Sequence, residues 1–160
     1  MVKIKKILCP TDFSEASLSA LPYAVDTARL FKAQIFLIHV VPLFPSPVEG
    51  PGYGPELEYL NCLRTDANEV LDKLLSKQIP KEVKASKYVV DGDAAQEILR
   101  AADSLHIDLI TISTHGRTSW NHLVFGSVAE KVIRMSHVPV LTIREKTQAK
   151  DRIVWQHQPA

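Results

Sequence analysis

Cysteine is scarce in this chain: only Cys9 and Cys62 occur among 160 residues. Two thiols make no disulfide framework, and both stand in apolar periodic segments that suit small buried hydrophobes in a reducing compartment. Long hydrophobic runs are missing, and none reaches membrane-spanning length. The lysine-bearing start, MVKIKKILCP, has an apolar run too short for a signal segment and lacks a small-residue cleavage site. A cytoplasmic location is therefore expected. Charge of one sign is lacking too, since 19 Lys and Arg against 18 Asp and Glu leave a formal net charge of +1. No surplus exists to gather phosphate backbones or acidic lipid, so neither nucleic acid nor a membrane is expected as a partner. Zinc-spaced His/Cys clusters, a GK[ST] phosphate loop and a recognisable Ser-His-Asp set are all absent.

What is present is 46% hydrophobic residues, enough for one well-buried core and too little chain for two. Short β-branched runs alternate with helical periods. The first strand is expected over Lys3 to Cys9, followed by an N-cap at Ser14 and a helix with Leu21, Ala24, Val25, Ala28 and Phe31 on one face. Pro22 is expected to bend that helix. Further strands are expected over Ile35 to Val41, Val83 to Val90, Ile107 to Ser113 and Val138 to Ile143. Helices between them carry Leu60, Leu63, Ala67, Val70, Leu71 and Leu74, then Ala95, Ile98, Leu99, Ala102 and Leu105, then Val128, Val132 and Met135. Five prolines and three glycines between Pro42 and Pro55 predict a long mobile loop at about 42–56. The pattern implies one α/β domain over residues 1–145, a five-stranded parallel sheet covered by helices on both faces, and a polar, flexible tail at 146–160. Pro139 places the last strand at an edge.

Ligands of such sheets bind beyond the carboxyl ends of the strands, where helix N-termini converge. Two ends carry chemistry. CPTDFS puts Thr11 and Asp12 at the mouth of the first strand. STHGRTSWNHLVFGSVAEK follows the fourth strand, with Gly116 near its start and Gly126 and Ser127 opening the next helix. Glycines let a backbone approach an anion, and Ser127 can cap the helix and donate to a phosphate oxygen. The same spacing also fits an ordinary strand-loop-helix connection. Asp12 fits a nucleoside contact or a helix-priming charge. His39 fits a hydrogen-bonded core histidine better than a catalyst. His115 suits a ligand contact or a loop bond, and Arg117 a phosphate or solvent. Trp120, Leu123, Val124 and Phe125 fit packing against the domain or a second subunit better than base stacking.

PTDFS, IHV, VVDGDAAQEIL, DLITISTHGRT, GSVAEKV and VPVLTI, in this order from Lys3 to Ile143, resemble the universal stress protein family. The resemblance implies strand order 3-2-1-4-5, which sets Asp12 and Gly116 on two walls of one crevice. The nucleotide-binding members' pattern of Gly, two residues, Gly, nine residues, Gly and Ser or Thr falls on Ser113, Gly116, Gly126 and Ser127. Ser113 departs from it, adding a hydroxymethyl that is expected to weaken or adjust binding. By resemblance, Pro10, Thr11, Asp12, Val40, Ser113, His115, Gly116, Arg117, Gly126, Ser127 and Val128 would hold ATP, or AMP or ADP, with Mg2+ carried by the phosphates. The implied function is an adenine-nucleotide-binding stress-response regulator. It is expected to form a homodimer through the edge strand Val138 to Ile143, which also needs cover on physical grounds, and to meet a further protein partner. A slow ATP hydrolase or phosphotransferase, and a partner-binding dimer without nucleotide, are the alternatives. No catalytic residue is assigned.

Overall fold

The computed structural model describes residues 2–43, 54–114 and 126–144. Five strands, β1 (Lys6–Pro10), β2 (Gln34–Val41), β3 (Ala85–Asp91), β4 (Leu109–Ser113) and β5 (Val140–Ile143), form one parallel sheet in the order β3-β2-β1-β4-β5. The helices are α1 (Glu15–Leu18), α2 (Leu21–Phe31), α3 (Gly54–Gln78), α4 (Ala94–Ser104) and α5 (Ser127–Met135). The α/β class, the strand order and the two helical layers are those expected from the sequence.

Side-chain alternation along each strand sorts the core into two halves. Ile7 and Cys9 of β1 and Leu109 of β4 pack with Leu21, Ala24, Val25 and Ala28 of α2 and with Leu71 and Leu74 of α3. Leu8, Ile110 and Ile112 face the other way, onto Ala95, Ile98 and Ala102 of α4 and Ala129 and Val132 of α5. Strands buried on both faces explain the near-continuous apolar runs that made them readable.

Several boundaries differ from expectation, each for a local reason. Pairing of β1 begins at Lys6 rather than Lys3, where the N–H groups of Lys5 and Lys6 donate to the Asp108 carboxylate at 2.7 and 3.0 Å. Ser14 is the N-cap of α1 as expected, its hydroxyl accepting from Ser17 N–H. The helix after it is not bent at Pro22, however. It is broken into α1 and α2, and Pro22 occupies the first turn of α2, where no intrahelical N–H is needed. Pro55 is likewise tolerated because α3 starts at Gly54, within the segment expected as a loop. The rest of that segment, 44–53, lies outside the described residues, as does the tail. β5 starts after Pro139 and lies at an edge, as Pro139 implied. Gly92, at φ +142°, makes the turn into α4, and a Cβ there would meet the Glu97 side chain at 2.9 Å.

Candidate functional site

Strands of unequal reach create the crevice. β1 pairs with β2 as far as Pro10 opposite Ile38, whereas β2 continues against β3 to Val41. Thr11 N–H donates to Ile38 O at 2.9 Å, and on the other side of β2 Gly92 N–H donates to Val41 O at 3.0 Å. Backbone groups of a parallel strand point alternately to its two neighbours. The N–H and C=O of Val40 therefore point past the end of β1, into the gap. Pro10, at the last position of β1, turns its donor-free nitrogen to the β4 side of the same gap.

The turn after β1 is densely bonded. Phe13 N–H donates to Thr11 Oγ1 at 3.0 Å, and Thr11 Oγ1 lies 3.0 Å from Ser17 Oγ. Asp12 Oδ1 accepts from the N–H and the hydroxyl of Ser14, at 3.0 and 2.6 Å. Asp12 thus braces the α1 cap and also lines the cleft. His39, at the end of β2, has Nδ1 2.9 Å from Thr11 O and stacks on Phe13 with ring centroids 4.1 Å apart. It is a hydrogen-bonded histidine, as its sequence context suggested, though half-buried rather than in the core.

On the opposite wall, Thr114 N–H donates to Ile143 O at 2.9 Å and Gly126 N–H donates to Thr114 O at 2.6 Å. One hydrogen bond thereby ties together the two ends of the glycine-spaced segment. His115, Gly116, Arg117 and the apolar residues Trp120, Leu123, Val124 and Phe125 lie outside the described residues. Gly126, not Ser127, is the N-cap of α5, and as a glycine it has no side chain with which to bond the N-terminal amides of that helix. The neighbouring helices differ: Ser14 caps α1 and the Asp93 carboxylate caps α4 by accepting from Gln96 N–H. A helix N-terminus without a cap keeps donors and a positive dipole end for an anion.

These walls enclose a cleft of about 670 Å3, counted with its open mouth. Pro10, Thr11, Asp12, Val40, Ser113, Gly126, Ser127 and Val128 all line it, so residues chosen from four separate stretches of sequence meet at one place. Ser17, Ile38, Ala94, Ile98, Ile112 and Thr114 also line it and were not anticipated. Ala94 had a signal, because Gly92 and Asp93 marked another turn from strand to helix. Ser113 is 4% exposed and shares by alternation the sheet face of Leu109 and Thr111. Burial pushes the Cys9 thiol up to about 12, which makes it inert as a nucleophile. Among the described residues no group of three or more His, Cys, Asp or Glu is placed to hold a metal ion, and no helix is long and apolar enough to cross a membrane.

The family model described as the universal stress protein family matches residues 3–144. The chain belongs to the universal stress protein family. A universal stress protein of Methanocaldococcus jannaschii is 35% identical over 142 residues, which cover 88% of this chain and 82% of the relative. The solved structure of a second protein of that organism, MJ0577, is similar with a TM-score of 0.80 and 32% identity, covering 91% of this chain and 99% of that one. Two universal stress protein structures of lower identity share the fold. One, in complex with cAMP, has a TM-score of 0.60 at 20% identity and covers 89% of this chain and 98% of its own. The other, from Archaeoglobus fulgidus in complex with dAMP, has a TM-score of 0.54 at 19% identity, with the same coverage of 89% and 98%.

Proposed function

We propose that this universal stress protein is a regulatory binding module whose cleft takes an adenine nucleotide, ATP in the first place. The observation that carries this reading is the uncapped start of α5, with Gly126, Ser127 and Val128 on the cleft, facing the open backbone edge of Val40. The first suits phosphate oxygens. The second offers a donor and an acceptor from one residue, the pair that the N1 and N6 edge of adenine requires. Pro10, Ile38, Ile98 and Ile112 supply apolar surface for a base, and Asp12 lies at the nucleoside end. Adenylates bound by two proteins of this fold support the same ligand class. His115, Gly116 and Arg117 would complete the phosphate side, and Mg2+ would arrive on the phosphates rather than on a protein site.

In this reading the protein acts in the cytoplasm as a homodimer joined at β5, and occupancy alters the surface offered to a partner. Turnover is not part of the proposal, because Asp12 Oδ1 already accepts two hydrogen bonds from Ser14 and would make a poor base for water. The test is to denature the purified protein, analyse the supernatant for adenine nucleotide, and titrate the stripped protein with ATP and AMP. Released nucleotide, or affinity tighter than about 1 mM that Gly126→Val abolishes, is the expected result. No release and no affinity in that range would favour the nucleotide-free, partner-binding dimer instead. Phosphate release that scales with protein concentration and disappears in Asp12→Ala would restore the hydrolase.

A further inference from the structure

We infer that His39 is a positioning residue for the nucleoside end of the cleft, acting through the Thr11–Phe13 turn; the inference rests on the nucleotide reading above. Its Nδ1 faces a carbonyl oxygen, Thr11 O, at 2.9 Å, so that nitrogen carries the proton and donates. Thr11 N–H is held by Ile38 O. Both backbone groups of Thr11 are therefore fixed by consecutive residues of β2, one from the backbone and one from the imidazole. The next residue of β2, Val40, supplies the open edge proposed to meet the base.

Phe13 gives a second hold. Its φ of 67° lies in the left-handed region, which a residue with a Cβ enters only under constraint. The ring stacks on His39 at an interplanar angle of 20°, and its N–H is bonded to Thr11 Oγ1. Asp12 sits between these two anchored residues. The turn that carries Asp12 is thus braced from the β2 side by one imidazole, while Ser14 holds the carboxylate itself.

The two holds can be removed separately. His39→Phe keeps a ring for Phe13 and deletes the donor, while His39→Asn keeps an N–H donor near the position of Nδ1 and deletes the ring. Amide hydrogen exchange is followed in nucleotide-free protein, and AMP and inorganic tripolyphosphate are titrated separately. In His39→Phe the amides from Asp12 to Ser17 should exchange about tenfold faster while those of β1 and β2 keep their protection. AMP affinity should fall about tenfold with tripolyphosphate within about twofold of the parent, and His39→Asn should recover most of the AMP affinity. Unchanged turn amides in His39→Phe, or parallel loss of AMP and tripolyphosphate, would overturn the inference. If His39→Phe loosens the whole sheet, His39→Asn decides: recovery of AMP affinity supports the role, and loss with the turn still protected refutes it. A parent protein that binds neither ligand would defeat the nucleotide reading, and the exchange result would still decide whether His39 holds the turn.

Discussion

At position 126 the backbone adopts φ −70° and ψ 153°, the same values as Ser14 at the start of α1. Any residue can adopt them, so a glycine here serves the absence of a side chain, not the conformation. A Cβ would stand 3.4 Å from Thr114 O, an ordinary contact. Gly126→Ser should therefore cap α5 with its own hydroxyl and raise the stability of the empty protein by a few tenths of a kcal/mol, since glycine is itself a tolerable N-cap. The same hydroxyl would compete for the amides, and ATP affinity should drop at least about tenfold. Thermal melts without ligand and calorimetric titration check the two halves; a substitution that stabilises and leaves affinity intact would remove the phosphate role of α5. Ser113 is the opposite case. Its side chain shares the face of Leu109 and Thr111, away from Ile112, so Ser113→Gly should change ATP affinity by less than about threefold while costing about 0.5–1 kcal/mol of stability as a glycine within a strand. Cys9 offers a further check: a thiol reagent should modify Cys62 alone in the native protein and both cysteines in denaturant, since Cys9 is 1% exposed and Cys62 is at the surface.

Among the elements, α3 is bound to the edge strand β3 by ionic contacts. Arg64 Nε donates to both oxygens of Asp91, at 3.0 and 3.1 Å, and Lys87 Nζ to Asp72 at 2.6 Å. The Arg64 hydrogen bonds hold the Asp91 carboxyl below its ordinary value. A carboxylate with a lowered folded pKa contributes stability above its unfolded pKa, about 3.9, and loses it as pH falls through the folded value. Arg64→Met should therefore lower the urea midpoint at pH 7, and the gap from the parent should close as pH is taken well below about 4. A gap independent of pH would mean that the side chain acts by packing alone. The elements themselves were legible because each buries a face: the 3.6-residue stripes of α2 and α4, and the double-sided apolar runs of β2 and β4. Their ends were not. Where β1 begins depends on Asp108, a hundred residues away, and whether Pro22 bends or restarts a helix depends on how α1 turns at Ser19 and Ala20, which no local period encodes.

For the whole molecule, the strand order brings the mouths of β1, β2 and β4 beside the start of α5, and this is what converts scattered motifs into one site. Much of that site could be read from residues whose chemistry is exceptional in place, such as a carboxylate after a strand or a glycine before a helix. Ile98, Ile112 and Ser17 could not, because nothing distinguishes them from other core or helix residues until the sheet is assembled. The same order leaves β5 at the edge, where Leu141 is exposed, as are Ile133 and Met135 of α5. If two copies join there, sedimentation at micromolar concentration should give a dimer, and Leu141→Glu should yield monomer with a nearly unchanged helical signal. A parent protein that sediments only as monomer would dispose of that assembly.

The missing cap on α5 has a consequence for how long the molecule survives. If a nucleotide completes that helix start as proposed, the filled protein would be the more durable form, by about 2.7 kcal/mol when free ligand exceeds its dissociation constant a hundredfold. Proteases that act on transiently opened chains sample the empty form far more often. Nucleotide supply would then govern abundance as well as occupancy, so that a cell short of nucleotide would be left with fewer copies and not merely with empty ones.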